Sequence, residues 1–380
     1  MPDPIRTTYA AAFPRWSQPF WTFITGKPGT GERAPFVPGS WLYLAVALAF
    51  CFAGIAGSLL LATRWTRLAW LMPLSVGATL YGSRLLILTI AHQCAHLRFC
   101  AGQRRNRLVH DLLSTVLCSQ NFEAYRLDHF HVHHALDAFG TYKDPVLMLI
   151  RQLGFTERLT RAQLWRRLAW TCISPYFHSL YLRNRLRSNF LAQRPARRAM
   201  AVAWWSGLLA LVVLRPELRL ALFLAYGLPV LLLYNISAFL ELICEHTWMR
   251  PLSSQTPRQR SSELIWGRFC GDAVPAGAGA LAWLRWGLRM VLYHLPCRLL
   301  VLTGDAPQHD FHHVAPTHPR WTASAYARSE LIDAGRMEDR EVWGLFEAIN
   351  IVFRDIASAQ QHRAEIAYLD VATASTGAER

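Results

Sequence analysis

The run Trp41–Thr63 carries no charged side chain over 23 residues, and Leu220–Leu240 carries none over 21. Nothing else constrains the fold of this chain so strongly. A bilayer core needs about 20 apolar residues in a helix. Inside lipid, only helices and closed barrels satisfy every backbone N–H and C=O. Both runs are therefore expected to cross a membrane as helices. Leu68–Ser83 and Ala199–Leu214 are uncharged over 16 residues each. They are the expected partners of the long runs, giving spans at about 41–63, 68–91, 199–214 and 220–240, paired as two hairpins. No short basic start leads straight into an apolar run near the N-terminus, so the first span is expected to be retained as an anchor.

The formal net charge of +15 comes almost entirely from Arg, because Lys occurs only at positions 27 and 143. Residues 91–200 hold 17 Arg or Lys against 6 Asp or Glu, whereas the turns at 64–67 and 215–219 hold two Arg each. By the positive-inside rule the basic insert is expected in the cytoplasm, with both termini on the same side. That assignment accounts for the charge, and nucleic acid is not an expected partner. Eight Cys with no C-x-x-C pair, on a chain facing the cytoplasm, argue against a disulfide framework.

The spans divide the chain into an interfacial lead at 1–40, a membrane domain at 41–315 and a cytoplasmic segment at 316–380. The second span is expected to continue past Arg84, whose side chain would snorkel to the headgroups. His92 would then stand roughly 12 Å beyond Arg84. The segment around Leu164–Trp170 reads as amphipathic. Ala280–Leu302 is interrupted by Arg285, Arg289 and Arg298 and reads as an interfacial helix rather than a fifth span. A last amphipathic helix is expected near Val342–Ile356.

Against this frame, three histidine clusters stand out: His92-Gln-Cys-Ala-His96, His129-Phe-His-Val-His133-His134 and His309-Asp-Phe-His312-His313. On a regular helix, residues four apart lie on one face. With four spans, all three clusters fall on one side of the membrane and can converge. His246, separated from the end of the fourth span by five residues, leaves the membrane in the same way as His92. Grouped imidazoles favour iron, copper, zinc or nickel over calcium or magnesium. Asp128, Asp144, Glu245 and Asp310 lie close enough in sequence to orient ligand imidazoles.

The order and spacing of the clusters resemble the membrane fatty acid desaturase and hydroxylase superfamily, with its His-x3/4-His, His-x2/3-His-His and His- or Gln-x2/3-His-His boxes. Arg126, three residues before His129, matches the Arg-x-x-His lead-in. The resemblance spans roughly residues 40–315. It implies an all-α integral membrane protein: four transmembrane helices under a cytoplasmic helical cap that holds two irons. The implied ligands are His92, His96, His129, His133, His134, His246, His309, His312 and His313, with His131 as the alternative to His129 in the second box. The implied activity is O2-dependent desaturation of a fatty acyl chain presented as an acyl lipid or on an acyl carrier, at a bacterial inner membrane. The chain has neither the His-Pro-Gly-Gly motif of a fused cytochrome b5 nor the Cys pattern of a ferredoxin or rubredoxin. Electrons would come from a separate ferredoxin-, rubredoxin- or cytochrome b5-type donor, steered in by the basic face. Hydroxylation or ketolation of a lipid, carotenoid or alkane is the alternative within the superfamily. A membrane zinc hydrolase or metal-binding transporter is the alternative of another class, although a zinc site needs only three or four ligands.

Overall fold

The computed structural model describes residues 4–136, 138–141, 143–191, 194–250 and 256–359. The side chains of Pro4, His131 and Pro257 lie outside the described residues, as does the end of the C-terminal segment, 360–380.

Among the described residues, four helices are long and apolar enough to cross a membrane: Ser40–Thr63, Thr66–Ala95, Pro195–Leu214 and Pro216–Leu242. Each contains one of the uncharged runs; three extend it by at most four residues at either end, and the second continues 12 residues past Ser83. The first two pack with their backbones nearly touching. A Cβ on Gly54 would come within 2.4 Å of the Thr79 nitrogen, and one on Gly82 within 2.5 Å of the Cys51 nitrogen. Lipid provides no hydrophobic drive between helices, so small residues that allow close backbone contact hold such pairs together. Ser58 and Ser75 add a hydroxyl hydrogen bond of 2.9 Å across the same seam.

The fourth span lies against the first two, and its backbone turns π-helical over Phe223–Leu233 around Pro229. Proline has no N–H to give, which breaks the α-helical ladder there. The third of these helices, Pro195–Leu214, is the least buried of the four. The third span meets the fourth through Trp204, whose Nε1 lies 3.4 Å from the Tyr226 hydroxyl. It meets the insert through Trp205, which donates to the Thr115 carbonyl at 3.2 Å.

Arg84 does not snorkel. It is buried, donates to the Val301 carbonyl at 3.2 Å and stands over the Tyr234 ring at 5.3 Å. Its side chain points into the protein because Val301 and Tyr234 offer an acceptor and a π-face close by. Arg185, in the helix Pro175–Phe190, works in the same way. It donates to the carbonyls of Leu117, Cys118 and Val230 and to Asn235 Oδ1, tying the basic insert to the fourth span.

The chain is not wholly helical. Gly267–Phe269 pairs in parallel with Glu341–Trp343, in the register Gly267↔Glu341. Gly344 has φ +89 and separates the strand from the helix Leu345–Ser358. Val342 is therefore a strand residue, not the start of the expected helix. Leu345, Ala348, Ile349, Val352, Phe353 and Ile356 form the buried stripe of that helix. The spacing of three and four puts them on one face. They pack with Phe155, Leu164, Phe177, Phe239 and Trp248 in the main core, so 345–358 and the end of the fourth span share one interior. At the N-terminus, Tyr9 and Ile24 pack on Val274 and Met290, beside the helix Ala280–Arg289. That helix leaves Leu281, Leu284 and Leu288 exposed along one face.

Candidate metal centre

The second span becomes π-helical over Leu85–Ala91 and returns to α-helix at His92–Ala95. Single-turn π-bulges of this kind recur at functional sites. Here His92 Nδ1 meets the Leu88 carbonyl at 3.2 Å. That contact places the ring proton on Nδ1 and leaves Nε2 with a free lone pair. His96 Nε2 lies one turn further on, 3.1 Å from His92 Nε2.

The second box folds differently from the regular helix expected. Asn121 caps the short helix Phe122–Asp128, its side chain accepting from the Ala124 N–H at 3.0 Å. The chain then runs as π-helix through His129–His133, closed by a bond from the His134 N–H to the His129 carbonyl at 2.9 Å. An i→i+5 period brings His129 and His134 together, with Nε2 atoms 3.0 Å apart. His133 is turned toward a different group. His129 and His133, which regular spacing would place as a pair, thus serve separate clusters. Arg126 donates to the Ala95 carbonyl and stands over the Phe130 ring at 4.7 Å. It fastens this box to the helix that carries the first box.

The third box is a short helix, His309–Val314. His309 and His313 lie one turn apart with Nε2 atoms at 3.0 Å. His312 points elsewhere, with Nε2 3.0 Å from His92 Nε2 and 3.1 Å from His134 Nε2. His246, fully buried beyond the fourth span, places Nε2 3.3 Å from His133 Nε2.

The nine imidazoles so gather into two clusters. His92, His96, His129 and His312 form one group able to hold a metal ion, with His134 at hydrogen-bond distance from two of them. His133, His246, His309 and His313 form the other. The two adjoin where the rings of His134 and His313 stack at 4.5 Å. The side chain of His131, the alternative to His129 in the second box, lies outside the described residues.

The donor set fits metal ions. A neutral imidazole has one N–H, and His92 directs its own outward to Leu88. The inward nitrogens of the first cluster lie 3.0 to 3.4 Å apart and cannot all bridge one another with protons. Burial first, and then neighbouring charge, holds His96, His129, His134, His246, His309, His312 and His313 below the usual histidine range. The neutral imidazole this favours is the form that ligates. His133 is the exception. Burial acts against its charge, but the Asp144 hydrogen bond and the Glu245 carboxylate outweigh it and raise its pKa.

The four carboxylates divide. Asp144 Oδ2 meets His133 Nδ1 at 3.3 Å while Oδ1 caps the helix Pro145–Gln152 through the Val146 N–H. Glu245 lies among the inward nitrogens of His309 and His133. Asp310 pairs with Arg328 at 2.8 Å and, among the described residues, contacts no imidazole. Asp128 faces Gln120. Sequence reasoning missed Arg268, which pairs with Glu241 at 2.6 Å and donates to the Ala306 carbonyl at 3.0 Å. It also missed Tyr125, stacked on the His129 ring at 5.2 Å. No local motif marks either residue.

Four helices apolar enough to cross a membrane, with two imidazole clusters able to hold metal ions beside them, define the class of protein. The sequence model of the family described as fatty acid desaturase matches residues 68–334, and the chain belongs to that family. Membership makes it a membrane oxidoreductase of the desaturase and hydroxylase type. Among curated proteins, no relative matches it.

Proposed function

We propose that this chain is an O2-dependent di-iron desaturase that introduces a double bond into a fatty acyl chain. The observation that carries the reading is the division of nine histidines, seven buried and His134 and His313 half-buried, into two adjoining clusters, each with the ligand number of a separate metal ion. A single zinc site needs three or four ligands. The ligands would be His92, His96, His129, His134 and His312 for one iron, and His133, His246, His309 and His313 for the other. Bound there, two irons would supply the oxidising power to break an unactivated C–H bond, chemistry that acid and base side chains cannot perform.

The chain's own residues do the rest. The Leu88 carbonyl and Asp144 fix the rings of His92 and His133 from their outward nitrogens. Phe139 lies against His246 and His313, at ring distances of 4.6 and 4.9 Å, and keeps water from that side of the second cluster. A site that begins where the second and fourth spans end suits a substrate whose alkyl tail lies in the bilayer. We place the three boxes and both termini on the cytoplasmic side of a bacterial inner membrane, because residues 91–200 carry the basic excess. The same excess would steer a separate acidic ferredoxin-, rubredoxin- or cytochrome b5-type donor.

Two measurements test the reading. Protein loaded anaerobically should hold close to two irons per chain, and stoichiometric zinc with no iron would defeat it. Expression in a host lacking the activity, followed by mass spectrometry of its lipids, should show acyl chains two hydrogens lighter. Chains heavier by one oxygen would make the enzyme a hydroxylase instead.

A further inference from the structure

The first cluster has five imidazoles and the second has four, and a carboxylate stands among the four. Glu245 Oε1 lies 2.8 Å from His309 Nε2 and 3.9 Å from His133 Nε2. Those are inward nitrogens. His309 Nε2 is 3.0 Å from His313 Nε2, and His133 Nε2 is 3.3 Å from His246 Nε2. A carboxylate that only orients a ligand imidazole approaches the ring nitrogen that faces away from the metal. Asp144 does this, at His133 Nδ1. Glu245 instead occupies the side on which the ligand atoms converge.

Among the described residues, only the imidazoles of His133 and His309 come within ion-pair distance of its carboxylate. The Glu245 side chain is 8% exposed, and Oε2 has no hydrogen-bond partner among the described residues. Among those residues, no Arg or Lys forms an ion pair with it. Arg268, which could have done so, is taken by Glu241 and by the Ala306 carbonyl. A buried carboxylate without a cation is costly, whereas one coordinating a metal is stabilised. Glu245 also directly precedes His246, so the end of the fourth span would deliver two ligands from adjacent positions.

We propose that Glu245 is a direct ligand of the second metal, so that one site is all imidazole and the other pairs four imidazoles with one carboxylate. The proposal rests on the di-iron reading above. A hard anionic oxygen on one metal alone makes the two sites chemically distinct.

The test uses the full chain loaded with iron anaerobically, with iron content and Mössbauer spectra as readouts. The wild type should hold two irons in two environments of equal weight. Glu245→Ala should lose about half the iron, and the signal lost should be the one lost in His246→Ala and retained in His312→Ala. Glu245→Gln, close to isosteric, should bind the second iron at least ~10-fold more weakly. Added acetate should restore the missing signal to Glu245→Ala. If Glu245→Ala does not accumulate, Glu245→Gln carries the test alone. Two irons and unchanged spectra in the variants, with two irons in the wild type, would overturn the proposal and leave the di-iron reading standing. A wild type without two irons would overturn both.

Discussion

Arg268 is the residue whose loss should be felt furthest from where it stands. Its guanidinium pairs with Glu241 at 2.6 Å, both side chains being at most 3% exposed, and it donates to the Glu241 and Ala306 carbonyls. It thereby joins the end of the fourth span, just before Glu245 and His246, to the turn that leads into His309. Arg268→Met keeps most of the volume but strands the Glu241 carboxylate in the interior. Breaking a buried pair from one side costs about 3–5 kcal/mol, whereas replacing both partners with apolar residues is often neutral. For a chain of this size, at ~2 °C per kcal/mol, the single change should lower the melting temperature by about 6–10 °C. Arg268→Met with Glu241→Leu should recover most of that loss. Thermal unfolding of the metal-free protein in detergent measures the effect without a contribution from bound metal. A single variant within about 1 kcal/mol of wild type, or a double variant as unstable as the single, would refute the argument.

Three further outcomes are expected. His129→Ala should lose iron and product, whereas His131→Ala should retain both, because the His129 nitrogen already lies 3.0 to 3.4 Å from four other imidazoles of the first cluster; side-by-side iron analysis and lipid profiling decide between them. Asp144→Asn should weaken iron binding by about 10–100-fold through loss of the carboxylate at His133 Nδ1, read by competition with a chelator, and unchanged affinity would remove Asp144 from the site. Cysteines introduced at the exposed Arg105 and Arg336 should label from one side of the membrane and one at Glu217 from the other; labelling of Arg105 and Arg336 from opposite faces would exclude the proposed topology.

The sequence by itself determined the four apolar helices, since a long uncharged run has few other ways to satisfy its backbone in lipid. It also singled out the nine histidines that the structure brings together, because box spacing is local and His246 is marked by its place after a span. The family followed from those boxes. Only the tertiary structure decided how the nine imidazoles divide. That division depends on π-helical turns at Leu85–Ala91 and His129–His133, where an extra residue per turn rotates each ring away from its α-helical direction, and no residue type announces such a turn. The direction of Arg84 was likewise undetermined, because snorkelling and burial differ only in whether a carbonyl such as that of Val301 is within reach. The strand at Glu341–Trp343 exists because Gly267–Phe269, some 70 residues earlier, lies alongside it. The place of Glu245 among the inward imidazole nitrogens depends in the same way on segments far apart in the chain, since His133, His246 and His309 meet only in the packed structure.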